Sequence, residues 1–198
     1  MVLSNPVAEV PFNITRLSHV VLTSRDLDAT RYFYESGLGL EVTEHSDAHL
    51  CLRAIEEVAH HSLRFDKVDR DGPGQVRAIG YRMFSDDDLR RAFDWLSARG
   101  DNPAWVERPF QGLTLRVVDA VGVPVEFTAT MPGPENRMRH FHAHAGGKLV
   151  FLDHVQVATH DVQAAYDWYI ELGFRLTEYT ATDGYDELWG VWLKRKNN

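Results

Sequence analysis

Short apolar runs, alternating or continuous, recur along this chain between turn-rich pieces. The clearest is Leu152-Asp153-His154-Val155-Gln156-Val157-Ala158-Thr159, which reads as a buried strand carrying one histidine. Asp161 follows as a helix cap. Val162, Ala165, Tyr166 and Tyr169 then make an apolar stripe at helical spacing, ended by Gly173. The same pattern stands near the other end as Leu17-Ser18-His19-Val20-Val21-Leu22-Thr23-Ser24, then Asp26 and a second helical run. His19 and His154 are 135 residues apart. At that spacing Leu17, Val20, Asp26, Ala29 and Tyr34 meet Leu152, Val155, Asp161, Ala164 and Tyr169. After a slip of one residue, Leu38-Gly39 meets Leu172-Gly173 and Thr43-Glu44 meets Thr177-Glu178. An internal repeat of this kind sets the architecture.

Residues 1–15 read as an N-terminal arm. The first unit has a strand at 16–24, a helix at 27–36 stopped by Gly37 and Gly39, and strands at 41–44, 49–53 and 62–68. A loop at 69–74 leads to the second unit. Its strand at 76–84 is followed by Ser85-Asp86-Asp87-Asp88, a capping box with acids in the first helical turn. Leu89, Ala92, Phe93 and Leu96 form the helix stripe, Gly100 ends it, and strands follow at 105–108, 114–119 and 123–130. The predicted fold is α+β, with a pair of βαβββ modules over 16–131. A linker rich in glycine, proline and alternating histidine spans 132–148. The third unit, 149–198, offers only βαββ before Asn198. An open sheet short of a strand exposes unpaired backbone groups. The expectation is that 149–198 is the first part of a larger domain, its edge mobile or covered by another chain.

Composition narrows the function. The 198 residues are 44% hydrophobic, enough for a substantial core, and carry a net charge of −8 with acids and bases interspersed. That argues against nucleic acid or an anionic membrane as the main partner. No signal peptide or membrane span is visible, so the cytoplasm is the expected compartment. The single cysteine, Cys51, excludes an intramolecular disulfide and lies in an apolar run that predicts burial.

His154 is the sharpest candidate for chemistry. A histidine in an apolar strand is hydrogen-bonded, neutral or metal-bound, and the residues alone leave a satisfied core histidine and a metal ligand both open. A non-haem iron centre needs two histidines and a carboxylate on one face. His19 is the repeat mate of His154, and Glu126 is an acid in an otherwise apolar last strand. In a pair of modules the two converge. The first strand of the second unit, Ala78-Ile79-Gly80-Tyr81, offers no second histidine, so this pair is expected to hold no metal. His140, His142 and His144 share one face if extended and read as surface or interface residues. His60 and His61 are expected to point to opposite faces of a strand. Trp95, Trp105, Trp168, Trp189 and Trp192 are expected mostly in the core.

These motifs resemble the vicinal oxygen chelate superfamily, that is, the glyoxalase/bleomycin-resistance/extradiol dioxygenase fold. Within it they resemble the type I extradiol ring-cleaving dioxygenases. Leu152-Asp153-His154 is similar to the strand carrying that family's first iron ligand, and Asp161, Leu172-Gly173-Phe174 and Glu178 follow in step. Leu38-Gly39-Leu40, Val42-Thr43-Glu44, Leu52-Arg53, Glu56-Glu57 and His60-His61 are most similar to the homoprotocatechuate (3,4-dihydroxyphenylacetate) 2,3-dioxygenases. The resemblance implies an iron-free N-terminal domain and a catalytic C-terminal domain. It implies His154 as a ligand of iron(II), or manganese(II), and Trp192 as a wall of the substrate pocket. Gln156 stands where those enzymes have asparagine. The implied partners are a catechol and O2, in a homo-oligomer that is a tetramer in the family. The second histidine, the glutamate ligand and the acid–base residues of the family have no match in this chain. The resemblance puts them beyond Asn198, and on that reading the chain is an inactive fragment. A non-catalytic assembly domain and another enzyme of the same fold, such as a glyoxalase or thiol transferase, are the alternatives.

Overall fold

In a computed structural model the chain is described over residues 8–69, 72–143, 145–184 and 186–195. Two βαβββ modules share one eight-stranded sheet. The first contributes β1 (Ile14–Ser24), β2 (Glu41–His45), β3 (His49–Arg53) and β4 (Leu63–Lys67). The second contributes β5 (Val76–Met83), β6 (Ala104–Val106), β7 (Thr114–Val118) and β8 (Pro124–Thr128). The strand order is β2-β3-β4-β1-β5-β8-β7-β6. In each module the last strand pairs in parallel with the first, β4 with β1 and β8 with β5. The two first strands, β1 and β5, pair antiparallel and join the modules at the centre.

Strand parity explains why these sequences make this sheet. Leu63, Val20, Ile79, Val125 and Val117 are cross-strand neighbours in a single row over five strands. The next row along is His19, Gly80, Glu126 and Arg116, on the opposite face. The apolar face of the second module packs under helix α2 (Asp86–Arg99), through Leu89, Ala92 and Leu96, and takes in Phe12 from the arm. Ser85 caps α2 by accepting from the Asp88 amide, and Gly100 ends it in the left-handed conformation. In the first module Leu27, Leu40, Leu50, Leu52 and Phe65 form a separate cluster.

Two expectations need correction. The helix after Asp26 is α-helical only as α1 (Leu27–Arg31), then widens into a π turn over Tyr32–Gly37. There Tyr34 packs on Phe65, ring centroids 4.9 Å apart, while Tyr32 and Phe33 face solvent. The region 132–148, expected as a linker, is held against the first module. Arg53 donates to the Glu135 carbonyl, Arg137 pairs with Glu41, and the Gly147 amide donates to the Gly37 carbonyl. The segment 149–159 forms no strand. A first strand in this fold lies between the last strand of its own module and the first strand of the next, as β1 lies between β4 and β5. Among the described residues nothing fills those places beside 149–159, so its backbone has no ladder to join. It is tied instead to the first module, by the Glu56 amide donating to the Val150 carbonyl and the Leu152 amide donating to Glu57.

The rest of the third unit is α3 (Val162–Glu171) on a hairpin of β9 (Arg175–Ala181) and β10 (Leu188–Lys194). Asn198, read from the sequence as the last residue of this unit, lies outside the described residues. One side of α3 packs Tyr166 and Ile170 on Leu188. The other side sends Trp168 and Leu172, with Phe174 beyond the helix, into the core of the second module against Tyr81 and Met83. Trp168 donates to Asp101, and Arg99 pairs with Glu171 at 2.7 Å. Trp168 is therefore a core residue. Trp105, Trp189 and Trp192 are not, being 40%, 68% and 53% exposed, the first on the edge strand β6 and the other two on an uncovered face of the β9–β10 hairpin.

Leu172→Ala removes a fully buried side chain from this shared core. It should cost about 2–5 kcal/mol. Denaturant unfolding followed by tryptophan fluorescence and by far-ultraviolet dichroism should give one coincident transition. Two separated transitions would mean that α3 is not part of the second module's core.

Candidate functional site

The row His19, Gly80, Glu126 and Arg116 lies on the face of the sheet away from the helix-covered core. His19 and Glu126 are both fully buried, with Nε2 of the ring 3.8 Å from Oε2 of the acid. The two do face each other, as the repeat predicts. Gly80 lies between them in register, and a Cβ there would collide with the His19 ring. At 3.8 Å the pair is too long for a hydrogen bond. The Gln111 amide nitrogen lies 3.1 Å from His19 Nε2 and the Ser18 hydroxyl 3.2 Å from Nδ1. An amide nitrogen only donates, so Nε2 accepts and the ring proton belongs on Nδ1.

Glu126 is committed to arginines. Its Oε1 accepts from Arg108 Nε and Nη2, at 2.9 and 2.7 Å, and from Arg116 Nη1 at 3.1 Å. Burial pushes its carboxyl up, but the Arg108 guanidinium on Oε1 outweighs this and holds it at about 2. With two guanidiniums on the acid and no side chain at position 80, this row is an ion-pair cluster and does not suit a divalent metal. Arg108 was not legible from spacing, because it lies in the β6–β7 connection, whereas Arg116 stands opposite Glu126 on β7.

A second cluster stands beside it. His61 is fully buried and its ring lies 5.5 Å from that of His19, edge on. Its Nδ1 is 3.0 Å from Nδ1 of His60, and its Nε2 has no hydrogen-bond partner. The expectation that His60 and His61 diverge fails because they lie in a loop before β4, where strand parity does not apply. The Cys51 thiol, buried on β3, completes a group. One ring nitrogen of each histidine and the sulfur all lie within 4.8 Å of one another. Burial pushes the Cys51 thiol up to about 11 and pushes His61 down to about 2. His60 stacks on Phe110 at 4.0 Å.

His154 sits elsewhere. Its side chain is 84% exposed, and Nδ1 lies 3.1 Å from Asp153 Oδ2. This corrects the expectation of a buried position, for the reason that unseats its strand. Among the described residues Cys51, His60 and His61 form the group of three metal-capable side chains, and His154 is not in it. Trp192 is on β10, where its carbonyl accepts from the Thr177 hydroxyl at 3.0 Å. His140 precedes a 3-10 turn and His142 lies within it, instead of an extended run, their rings 5.8 Å apart, and His144 lies outside the described residues. So does Asn198, after which the acid–base residues of the family are expected.

Comparison with known proteins places this arrangement. A profile of the Glyoxalase/Bleomycin resistance protein/Dioxygenase superfamily matches residues 16–127 and 151–198. Metapyrocatechase of Geobacillus stearothermophilus is 26% identical over 206 aligned positions, which cover 98% of this chain and 62% of that enzyme. A manganese-dependent 2,3-dihydroxybiphenyl 1,2-dioxygenase of Geobacillus genomosp. 3 is 25% identical, covering 84% of this chain and 56% of its own length. Homoprotocatechuate 2,3-dioxygenase of Brevibacterium fuscum, in a complex with 3,4-dihydroxyphenylacetate, superposes with a TM-score of 0.85 at 30% identity. That match covers 96% of this chain and 59% of the other. The Arthrobacter globiformis enzyme gives 0.84 at 30% identity with the same coverage. The chain thus spans little more than half the length of these relatives.

Glu126→Gln should cost about 3 kcal/mol at neutral pH, since it leaves two guanidiniums without their buried counter-ion. The acid's folded value lies below its unfolded 4.5. The stability it contributes is therefore complete above pH 4.5 and lost as pH falls toward 2. Unfolding free energies of wild type and variant should converge over that window, and a gap unchanged at pH ~3 would refute the ion-pair assignment. Gly80→Ala should destabilise the sheet by a comparable amount, measured the same way.

Proposed function

The chain belongs to the glyoxalase/bleomycin resistance protein/dioxygenase superfamily, and from that premise we propose that it is part of an extradiol dioxygenase. The proposed reaction opens a catechol ring beside its two hydroxyls with O2. One observation carries the reading. Nearly the whole chain, 96%, aligns in sequence and in space with an enzyme held in complex with 3,4-dihydroxyphenylacetate. A catechol of that kind is the proposed substrate.

Residues 16–131 then form the metal-free half with respect to the catalytic iron, since Glu126 is taken by arginines and position 80 is glycine. Residues 149–198 belong to the catalytic half. His154, the repeat mate of His19, is proposed as one ligand of iron(II), with manganese(II) as a substitute. Trp192 is proposed as a wall of the substrate pocket. The described residues around His154 do not fit a two-histidine, one-carboxylate site, because the ring stands exposed beside Asp153 with no second histidine. By this ligand count the 198-residue chain is inactive by itself. A cytoplasmic homo-oligomer completes the proposal, and among the described residues no helix is long and apolar enough to cross a membrane.

The native protein, loaded with iron(II), should convert 3,4-dihydroxyphenylacetate to a yellow ring-opened product and consume O2. His154→Ala should abolish that activity yet change unfolding stability by less than about 0.5 kcal/mol, the range for exposed positions. Absence of O2 uptake with any catechol would overturn the reading. Turnover by the 198-residue chain alone would overturn the ligand count.

A further inference from the structure

We propose that Cys51, His60 and His61 form a binding site for a zinc-class transition-metal ion, separate from the His154 position. Three strands of argument meet here. The first is donor chemistry. A thiol and two imidazoles suit zinc and its neighbours, and are a poor set for magnesium or calcium. The second is geometry. Donor atoms on one tetrahedral zinc stand about 3.3–3.6 Å apart, from Zn–N of about 2.0–2.1 Å and Zn–S of about 2.3 Å. One nitrogen of each histidine and the Cys51 sulfur already lie within 4.8 Å of one another. Closing on an ion asks for shifts on the order of an ångström, some of it in a loop.

The third is an orphaned atom. His61 Nε2 is buried and has no hydrogen-bond partner. A buried polar atom left so is costly, and a bound group or ion commonly explains one. The neighbouring charges leave room for a cation. Glu44 stands opposite Cys51 on β2, and Arg64, opposite it on β4, is held by Asp66 at 2.7 Å. A divalent ion with one thiolate adds a single positive charge to a group carrying two acids and one base. Binding releases the thiol proton to solvent, and no electron moves. The His19 and Glu126 row does not compete for the ion, because Glu126 already accepts from two arginines.

The chain has one cysteine, so the test is unambiguous. Untagged, reduced 198-residue chain is titrated anaerobically with cobalt(II). The expected result is one equivalent bound, with a thiolate-to-cobalt charge-transfer band in the near ultraviolet that zinc(II) bleaches. Cys51→Ser should remove the band, His60→Ala should weaken cobalt binding at least about tenfold, and His154→Ala should leave both unchanged. Near-ultraviolet dichroism checks that each variant keeps its fold. If Cys51→Ser does not fold, the wild-type spectrum decides. No thiolate band on the wild-type chain overturns the proposal, and so does equal affinity in a folded His60→Ala. Neither outcome bears on ring cleavage, which is read at His154.

Discussion

The antiparallel pairing of β1 with β5 is the constraint on which the rest depends. It turns two βαβββ modules into one sheet and fixes the register His19 to Gly80. Once that register is set, parity runs through every neighbour. Val20 meets Ile79 and the helix-covered core, and His19 meets Gly80, Glu126 and Arg116. A slip of one residue would put His19 under α2 and Val20 among the arginines, so the pairing is strongly specified. Glycine at 80 is part of the same constraint, since a larger residue would meet the imidazole.

The consequence is an uneven division of labour between the faces. The apolar face is covered by α2, α3 and the arm, and burial there supplies the main favourable term. The other face holds buried ionisable groups that find partners locally, Glu126 Oε1 in two arginines and Arg53 in Glu41 and two carbonyls. Such clusters add specificity of arrangement more readily than net stability. The pairing is incomplete in places: His61 Nε2 in the histidine–cysteine group and Glu126 Oε2 are both buried without a hydrogen-bond partner.

The third unit shows the same physics in reverse. Its helix finds a partner, because Trp168 and Leu172 complete the core under Tyr81. Among the described residues its first segment finds no strand to pair with, and a strand is a property of a pair. The exposed His154, the uncovered Trp189 and Trp192, and the lone β9–β10 hairpin all follow from that one missing pairing.

Much of this was legible from residue order. The repeat at 135 residues, the capped helices and the convergence of His19 with Glu126 all follow from local rules: alternation, caps and glycine stops. Those rules act over a few residues, so one chain contains them in full. The family could be read from the same short motifs. What tertiary structure alone decided depends on partners far away in sequence. Arg108 reaching Glu126 depends on a loop. His60 and His61 converge on Cys51 because the loop before β4 folds back onto β3. The binding of 132–148 to the first module, and the loss of the strand at 149–159, turn on which backbone groups find one another in space. Alternation says which face a residue prefers once a ladder exists, but only the assembled sheet decides whether there is one.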